Sequence, residues 1–341
     1  MKRDSFLRRM AIFIIMILVG SALLLPVYAE VKPRATQNPL VKFEPTKGEK
    51  ELKFAVVTVF TGAAYWVPVK QGMKDAAMML GVDAIHTGDP GFDLTAYINV
   101  LENLLETGID GVSVFVPMPE CLDRIIEKYL ERGIPIMVNS TGPETAEKYG
   151  LGYVGQDNYD AGLVWGKKIL ELLQPDPAGK RIVFLTESPG QTSLESRIKG
   201  AREILIPEGV ICDYIDTTRD RGDAYGIIES YYLANPDCLG LFSCDTTGSP
   251  VACKFIEKNN LIGKLYSGGF DLVPEVIEGI IKGSSTFTIE QYPYLQGFLP
   301  IMDLYLWVTL GLEPLDANTG GHLVTKENVL PVKELVELGY R

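Results

Sequence analysis

The feature that most narrows the folds open to this chain is an alternation that begins at Lys53 and runs past Phe270. Short apolar runs of strand length cover residues 54–60, 82–87, 111–116, 134–140 and 152–157. Patterns of helical spacing over 67–80, 94–106 and 120–132 fall between the first four of them. A second series follows, with helices expected over 161–173, 193–205, 224–233 and 249–258, and strands over 181–187, 210–217, 239–244, 265–270 and 286–291. Continuous apolar strands separated by helices of about a dozen residues predict parallel sheets covered on both faces. With 341 residues the chain is too long for one such unit, so the expected fold class is α/β, with two doubly wound lobes. Residues 292–311 form a long apolar pattern striped by Leu295, Leu299, Met302, Leu306 and Leu310. Pro300 and Asp303 interrupt it too much for a membrane span, so it is read as core, with Tyr305 and Trp307 as packing groups.

In open α/β sheets, ligands bind outside the carboxyl ends of the strands. The stretch Lys264-Leu-Tyr-Ser-Gly-Gly-Phe-Asp271 reads as strand, tight turn and carboxylate, followed by a helix started at Pro274. Asp271 is thereby a candidate ligand acceptor. A second reading, in which it only caps the next helix, stays open at this point.

Residues 1–29 stand apart. Lys2, Arg3, Arg8 and Arg9 form a basic head, an apolar run follows, and Val27-Tyr28-Ala29 offers a cleavage site, which predicts a signal peptide cleaved near Ala29 and export of the remainder. An uncleaved membrane anchor is the alternative, against which Pro26 and Ala29 speak. Residues 30–52 are expected to be a loose arm. Removing 1–29 takes away four basic and one acidic side chain, moving the formal charge from -12 to -15. Nucleic acid would repel so acidic a protein. Five cysteines without metal-type spacing suggest buried free thiols, and one disulfide remains possible. Two isolated histidines give a metal site or a His-based triad little to build on. No nucleophile elbow, P-loop, HExxH or dinucleotide-binding glycine motif is present, so neither an enzyme nor a cofactor is expected.

Several segments together are similar to a known family. Gly108-Ile-Asp-Gly-Val112, Pro117-Met-Pro119, Gly133-Ile-Pro-Ile-Met-Val-Asn-Ser140, Tyr153-Val-Gly-Gln-Asp-Asn158, Gly269-Phe-Asp271 and Thr288-Ile-Glu-Gln291 occur in its order and spacing. The chain resembles the periplasmic sugar-binding proteins of the ribose and galactose type, type I substrate-binding proteins of ABC transporters. That resemblance implies two lobes joined by three crossings, placed near Asp157-Asn158, Gln291-Tyr292 and Thr319-Gly320. The N-terminal lobe would comprise 53–157 plus 292–319, and the C-terminal lobe 158–291 plus 320–341. It further implies a monomer that binds a sugar or polyol and delivers it to a membrane permease.

Binding a sugar calls for planar polar side chains that form paired hydrogen bonds, and for aromatic rings that cover its C–H faces. Tyr65 and Trp66 stand where the family has two aromatics after the first strand. Asp245, Asp271 and Gln291 match positions that bond sugar hydroxyls, and Asp157 lies at a crossing. Asn139-Ser140 replaces Asp-Arg, Glu195 stands where an Arg is usual with Arg197 nearby, and Arg219 takes an often aromatic position. Such exchanges should change the substrate, so ribose itself is not expected. A related possibility is a sensor protein that presents its ligand, a sugar or furanosyl signal, to a chemoreceptor or sensor kinase.

Overall fold

The computed structural model describes residues 51–341, so the expected signal peptide and nearly all of the expected arm lie outside the described residues. From Lys53 the chain runs β1 (Lys53–Thr58), α1 (Trp66–Leu80), β2 (Asp83–Gly88), α2 (Leu94–Leu104), β3 (Gly111–Val114), α3 (Asp123–Glu131), β4 (Ile136–Asn139), α4 (Pro143–Tyr149) and β5 (Tyr153–Gly155). It continues through α5 (Asn158–Leu173), β6 (Arg181–Thr186), α6 (Thr192–Leu205), β7 (Ile211–Asp216), α7 (Arg221–Ala234) and β8 (Cys238–Ser243). Then come α8 (Gly248–Lys258), β9 (Tyr266–Phe270), α9 (Pro274–Lys282), β10 (Phe287–Glu290), α10 (Pro293–Leu310), β11 (Ala317–Asn318), β12 (His322–Thr325) and α11 (Val329–Glu337). None of the described helices is long and apolar enough to cross a membrane.

These strands form two six-stranded sheets, ordered β11-β5-β4-β3-β1-β2 and β12-β10-β9-β8-β6-β7. Because β11 and β12 follow β10 but join different sheets, the chain passes between sheets three times, at 156–157, 291–292 and 319–321. Along β6 the side chains alternate between two cores. Ile182 and Phe184 pack with Trp165, Phe270 and Phe287, whereas Val183 and Leu185 pack with Leu241, Val251 and Phe255. Burial on both faces is what made such strands read as unbroken apolar runs.

The expectation of wholly parallel sheets needs one correction: β12 runs antiparallel to β10, pairing His322 with Glu290. The reason is the short link from β11. It delivers the chain at the carboxyl end of β10 without a crossover helix, so the next strand can only run back along it.

Two helix pairs approach unusually closely, each through glycines on both partners. A Cβ on Gly72 of α1 would lie 2.0 Å from the Tyr294 carbonyl oxygen, and one on Gly297 of α10 would lie 1.9 Å from that of Val69. Gly162 and Gly200 do the same for α5 and α6, at 2.3 Å from the carbonyl oxygens of Arg197 and Tyr159. All five cysteines are free thiols, Cys238, Cys244 and Cys253 being buried.

The three crossings are tied to one another by hydrogen bonds. Thr319 N donates to Gly155 O (2.9 Å), Gly321 N to Glu290 O (3.0 Å) and Thr319 Oγ1 to Gln291 O (2.9 Å). Gln296, fully buried on α10, joins this set to the first lobe. Its amide donates to Gln291 O (3.0 Å) and Thr319 Oγ1 (2.9 Å), while its Oε1 accepts from Tyr65 OH (2.5 Å) and Ser140 Oγ (2.6 Å). Gln296→Ala should therefore lower stability by about 2 kcal/mol, since it strands buried hydroxyls and a carbonyl. Denaturant unfolding measures this, and a loss under about 0.5 kcal/mol would show that water replaces the amide at no cost.

Candidate binding site between the lobes

A cavity of about 80 Å³ lies between the carboxyl ends of the two sheets, and its walls differ in chemistry. The first lobe contributes Val59, Phe60, Ala63, Tyr65, Trp66, Phe92, Phe115 and Ser140, a surface dominated by rings. From the second lobe come Glu187, Gln191, Ser193, Leu194, Arg197, Arg219, Asp245, Thr246 and Asp271, a surface dominated by charged and polar groups. Gln291, at a crossing, completes it.

Asp271 follows β9 in a left-handed conformation, φ 74°. Its Oδ1 accepts from Gln291 Nε2 at 2.5 Å. It does not cap α9: the N-cap is Val273, without a side-chain cap bond. The capping reading of this residue is thereby excluded. Burial raises the Asp271 carboxyl above the usual range, while Arg197 and Gln291 pull it back. Arg197 is itself buried, donating from Nε to Asn158 Oδ1 (2.9 Å) and from Nη1 to Cys244 O (2.8 Å), with its guanidinium 4.1 Å over the Phe270 ring. These contacts fix a cation beside Asp271.

Asp245 lines the cavity, but its oxygens are already engaged. They accept from the amides of Glu187 (2.7 Å), Thr247 (3.0 Å) and Gly248 (2.7 Å) and from Ser243 Oγ (3.2 Å). These donors tie the carboxylate to the loop before α8, and three of the four go to Oδ1, so Oδ2 keeps a lone pair at the cavity wall. Burial raises its pKa, and those donors oppose the rise. Glu187, at the end of β6, is pushed up to about 8 by burial and by Asp245, with Thr247 and Arg219 acting the other way.

On the first lobe, Tyr65 meets Trp66 edge to face at 4.8 Å, and Trp66 meets Phe115 likewise at 5.7 Å. Burial raises the Tyr65 phenol far above its ordinary value, so it is a neutral hydroxyl. The lobes touch at the rim. Arg219 holds its guanidinium 3.7 Å above the Phe92 ring, and Thr192 N donates to Pro117 O at 3.1 Å.

Three residues expected to face the ligand lie outside these walls. Asn139 donates to Ser113 Oγ at 2.5 Å and accepts from Ser140 Oγ, and it is Ser140, in a left-handed turn just past the end of β4, that meets the cavity. Asp157 is the N-cap of α5, its side chain accepting from Asp160 N, and it borders a separate groove. Glu195 accepts from Gly190 N and Tyr214 OH at 2.9 Å each, on the face of α6 turned from Arg197. Conversely Phe60, Phe92, Phe115 and Glu187 escaped the sequence reading. One local signal was available for Phe92: it follows Gly91 in the short loop between β2 and α2, at the carboxyl end of a strand, where ligands bind.

Backbone strain also gathers at this place. Among the described residues, seven other than glycine have positive φ. Phe60, Ser140 and Asp271 of these line the cavity, and Thr218 and Tyr292 adjoin Arg219 and Gln291. Such conformations cost of order 1–3 kcal/mol each and concentrate at ligand clamps. No group of three or more His, Cys, Asp and Glu side chains is placed to hold a metal ion among the described residues.

Two α/β lobes of six strands each, with a chemically two-sided cavity between them, define a ligand-binding protein of the type I periplasmic class. Residues 54–309 match the periplasmic binding protein domain family, and the chain belongs to it. It is therefore a binding protein and not an enzyme. It is 31% identical over 295 residues to the xylose/arabinose-binding protein XylF of Sulfolobus acidocaldarius, covering 82% of this chain and 72% of that one. GanP, a glucose-galactose binding protein from Geobacillus stearothermophilus, has the same fold, with a TM-score of 0.75 at 24% identity over 83% of this chain and 100% of that one. A carbohydrate transporter protein from Acidothermus cellulolyticus, solved with myo-inositol, gives 0.76 at 23% identity over 86% and 100%.

Proposed function

We propose that this protein closes its two lobes on a sugar or polyol outside the cytoplasm and delivers it to the permease of an ABC transporter. The observation that carries the reading is the asymmetry of the cavity: five aromatic side chains on one lobe face carboxyl, guanidinium and amide groups on the other. A sugar ring is amphipathic in the same sense, with C–H faces for the rings and a girdle of hydroxyls that donate and accept. The chemistry named for the relatives agrees with this. Neither wall alone can satisfy the ligand, so binding would draw the lobes together, with 53–157 plus 292–319 moving against 158–291 plus 320–341 about the three crossings. The basic and apolar leader at 1–29 supports export, and the acidic composition favours a monomer acting alone.

The test is thermal denaturation with D-xylose, L-arabinose, D-glucose, D-galactose and myo-inositol. A ligand at about 100 times its dissociation constant should stabilise the protein by roughly 2.7 kcal/mol. If none of the five at millimolar concentration shifts the transition, the sugar and polyol reading falls.

A further inference from the structure

Three carboxyl groups from the second lobe meet in the cavity, and two of them are provided for. Asp245 receives four donors spread over both oxygens, an arrangement suited to an ionised carboxylate. Asp271 accepts from Gln291 and lies within the field of Arg197. Glu187 is less well supplied: its Oε2 is buried without a hydrogen-bond partner. Facing it are Asp245 from the loop before α8, Asp271 from the loop before α9, Arg219 from the loop before α7, and the Thr247 side chain. Arg219 is divided among Glu187, Asp216 and Asp245. Crowded buried carboxyls cannot all ionise, and a shared proton settles where the fewest donors compete with it.

We infer that Glu187 contacts the ligand as a neutral carboxylic acid, its Oε2 carrying a proton that the bound molecule accepts on a hydroxyl or ring oxygen. This rests on the sugar or polyol reading above and refines it. The ligand must offer an oxygen acceptor at the end of β6, which selects among isomers by the position of that oxygen. With its carboxyl pushed up to about 8, Glu187 is mostly protonated at neutral pH. Above pH 8 it ionises, can no longer donate, and adds a third negative charge beside Asp245 and Asp271.

Calorimetric titration uses whichever of the five named compounds stabilises the wild type most. The wild-type affinity should hold between pH 6 and 7 and weaken about tenfold from pH 7 to pH 9. Glu187→Gln, whose amide donates at every pH, should bind within about threefold of wild type at pH 7 and stay flat to pH 9. Affinity that strengthens with pH, or a Glu187→Gln protein that keeps the wild-type slope, would overturn the inference. A second measurement needs no ligand. In carboxyl ¹³C NMR of the empty protein, the signal missing from Glu187→Gln should titrate near pH 8, and titration in the ordinary carboxylate range overturns the inference. Failure of all five compounds to bind would instead remove the sugar reading and leave this measurement decisive for the protonation state.

Discussion

Asp271→Ala is expected to weaken sugar binding about a hundredfold while the empty protein remains folded. The carboxylate lines the cavity with one donor on it, Gln291 Nε2, so its remaining lone pairs are open to the hydroxyls of a sugar bound there. Removing it leaves buried donors unpaired on the ligand and on Gln291, each costing about 1–3 kcal/mol, and 2.7 kcal/mol is a factor of about 100 in affinity. The empty protein should lose little. Ala fits the left-handed backbone at Asp271 less well than Asp, but the change also relieves a carboxylate whose burial is unfavourable. Since Asp271 caps no helix, α9 keeps its start at Pro274. Calorimetric titration and melting of the ligand-free variant measure the two effects, and unchanged affinity for a sugar that binds the wild type would remove Asp271 from the site.

What could be read from the sequence, and what could not, follows from the range over which each feature is determined. Parallel strands such as β1 and β6 are buried on both faces, so their burial is written locally as apolar runs. β11 has two residues, too few to show any period, and β12 is a half-exposed edge strand, so their places depend on the sheets they join. α4 was also passed over, although Gly142 before it, Pro143 at its first position and Gly150 after it are helix boundary signals, with both glycines in left-handed conformations. Within the site, side-chain direction was the missing information. Glu195 and Arg197 lie two positions apart on α6, about 200° around the helix, so they cannot both face the cavity. Arg197 takes that place and Glu195 turns to Tyr214. Asn139 ends β4 bonded to Ser113, and the left-handed turn at Ser140 brings that residue to the cavity instead. Glu187 was taken as the end of an apolar strand, and only the folded arrangement sets it beside Asp245.

The largest effect on stability is expected far from the aromatic wall, at Arg341. Its Nε donates to Glu290 Oε1 at 2.6 Å and its Nη2 to Glu290 Oε2, forming a two-pronged pair with a carboxylate that is fully buried. Arg341→Ala would leave Glu290 as an uncompensated buried charge, a change that costs about 3–5 kcal/mol, or on the order of 10 °C in melting temperature. The position amplifies the consequence. The Glu290 carbonyl accepts from Gly321 N and from Gln156 Nε2, so all three crossings meet at this residue. Adding Glu290→Gln to Arg341→Ala should recover most of the loss, because a buried amide costs less than a buried charge. Denaturant unfolding of both variants at pH 7 measures the loss and its recovery. A loss below about 1 kcal/mol for Arg341→Ala, or no recovery in the double variant, would mean that the pair does not hold the crossings together.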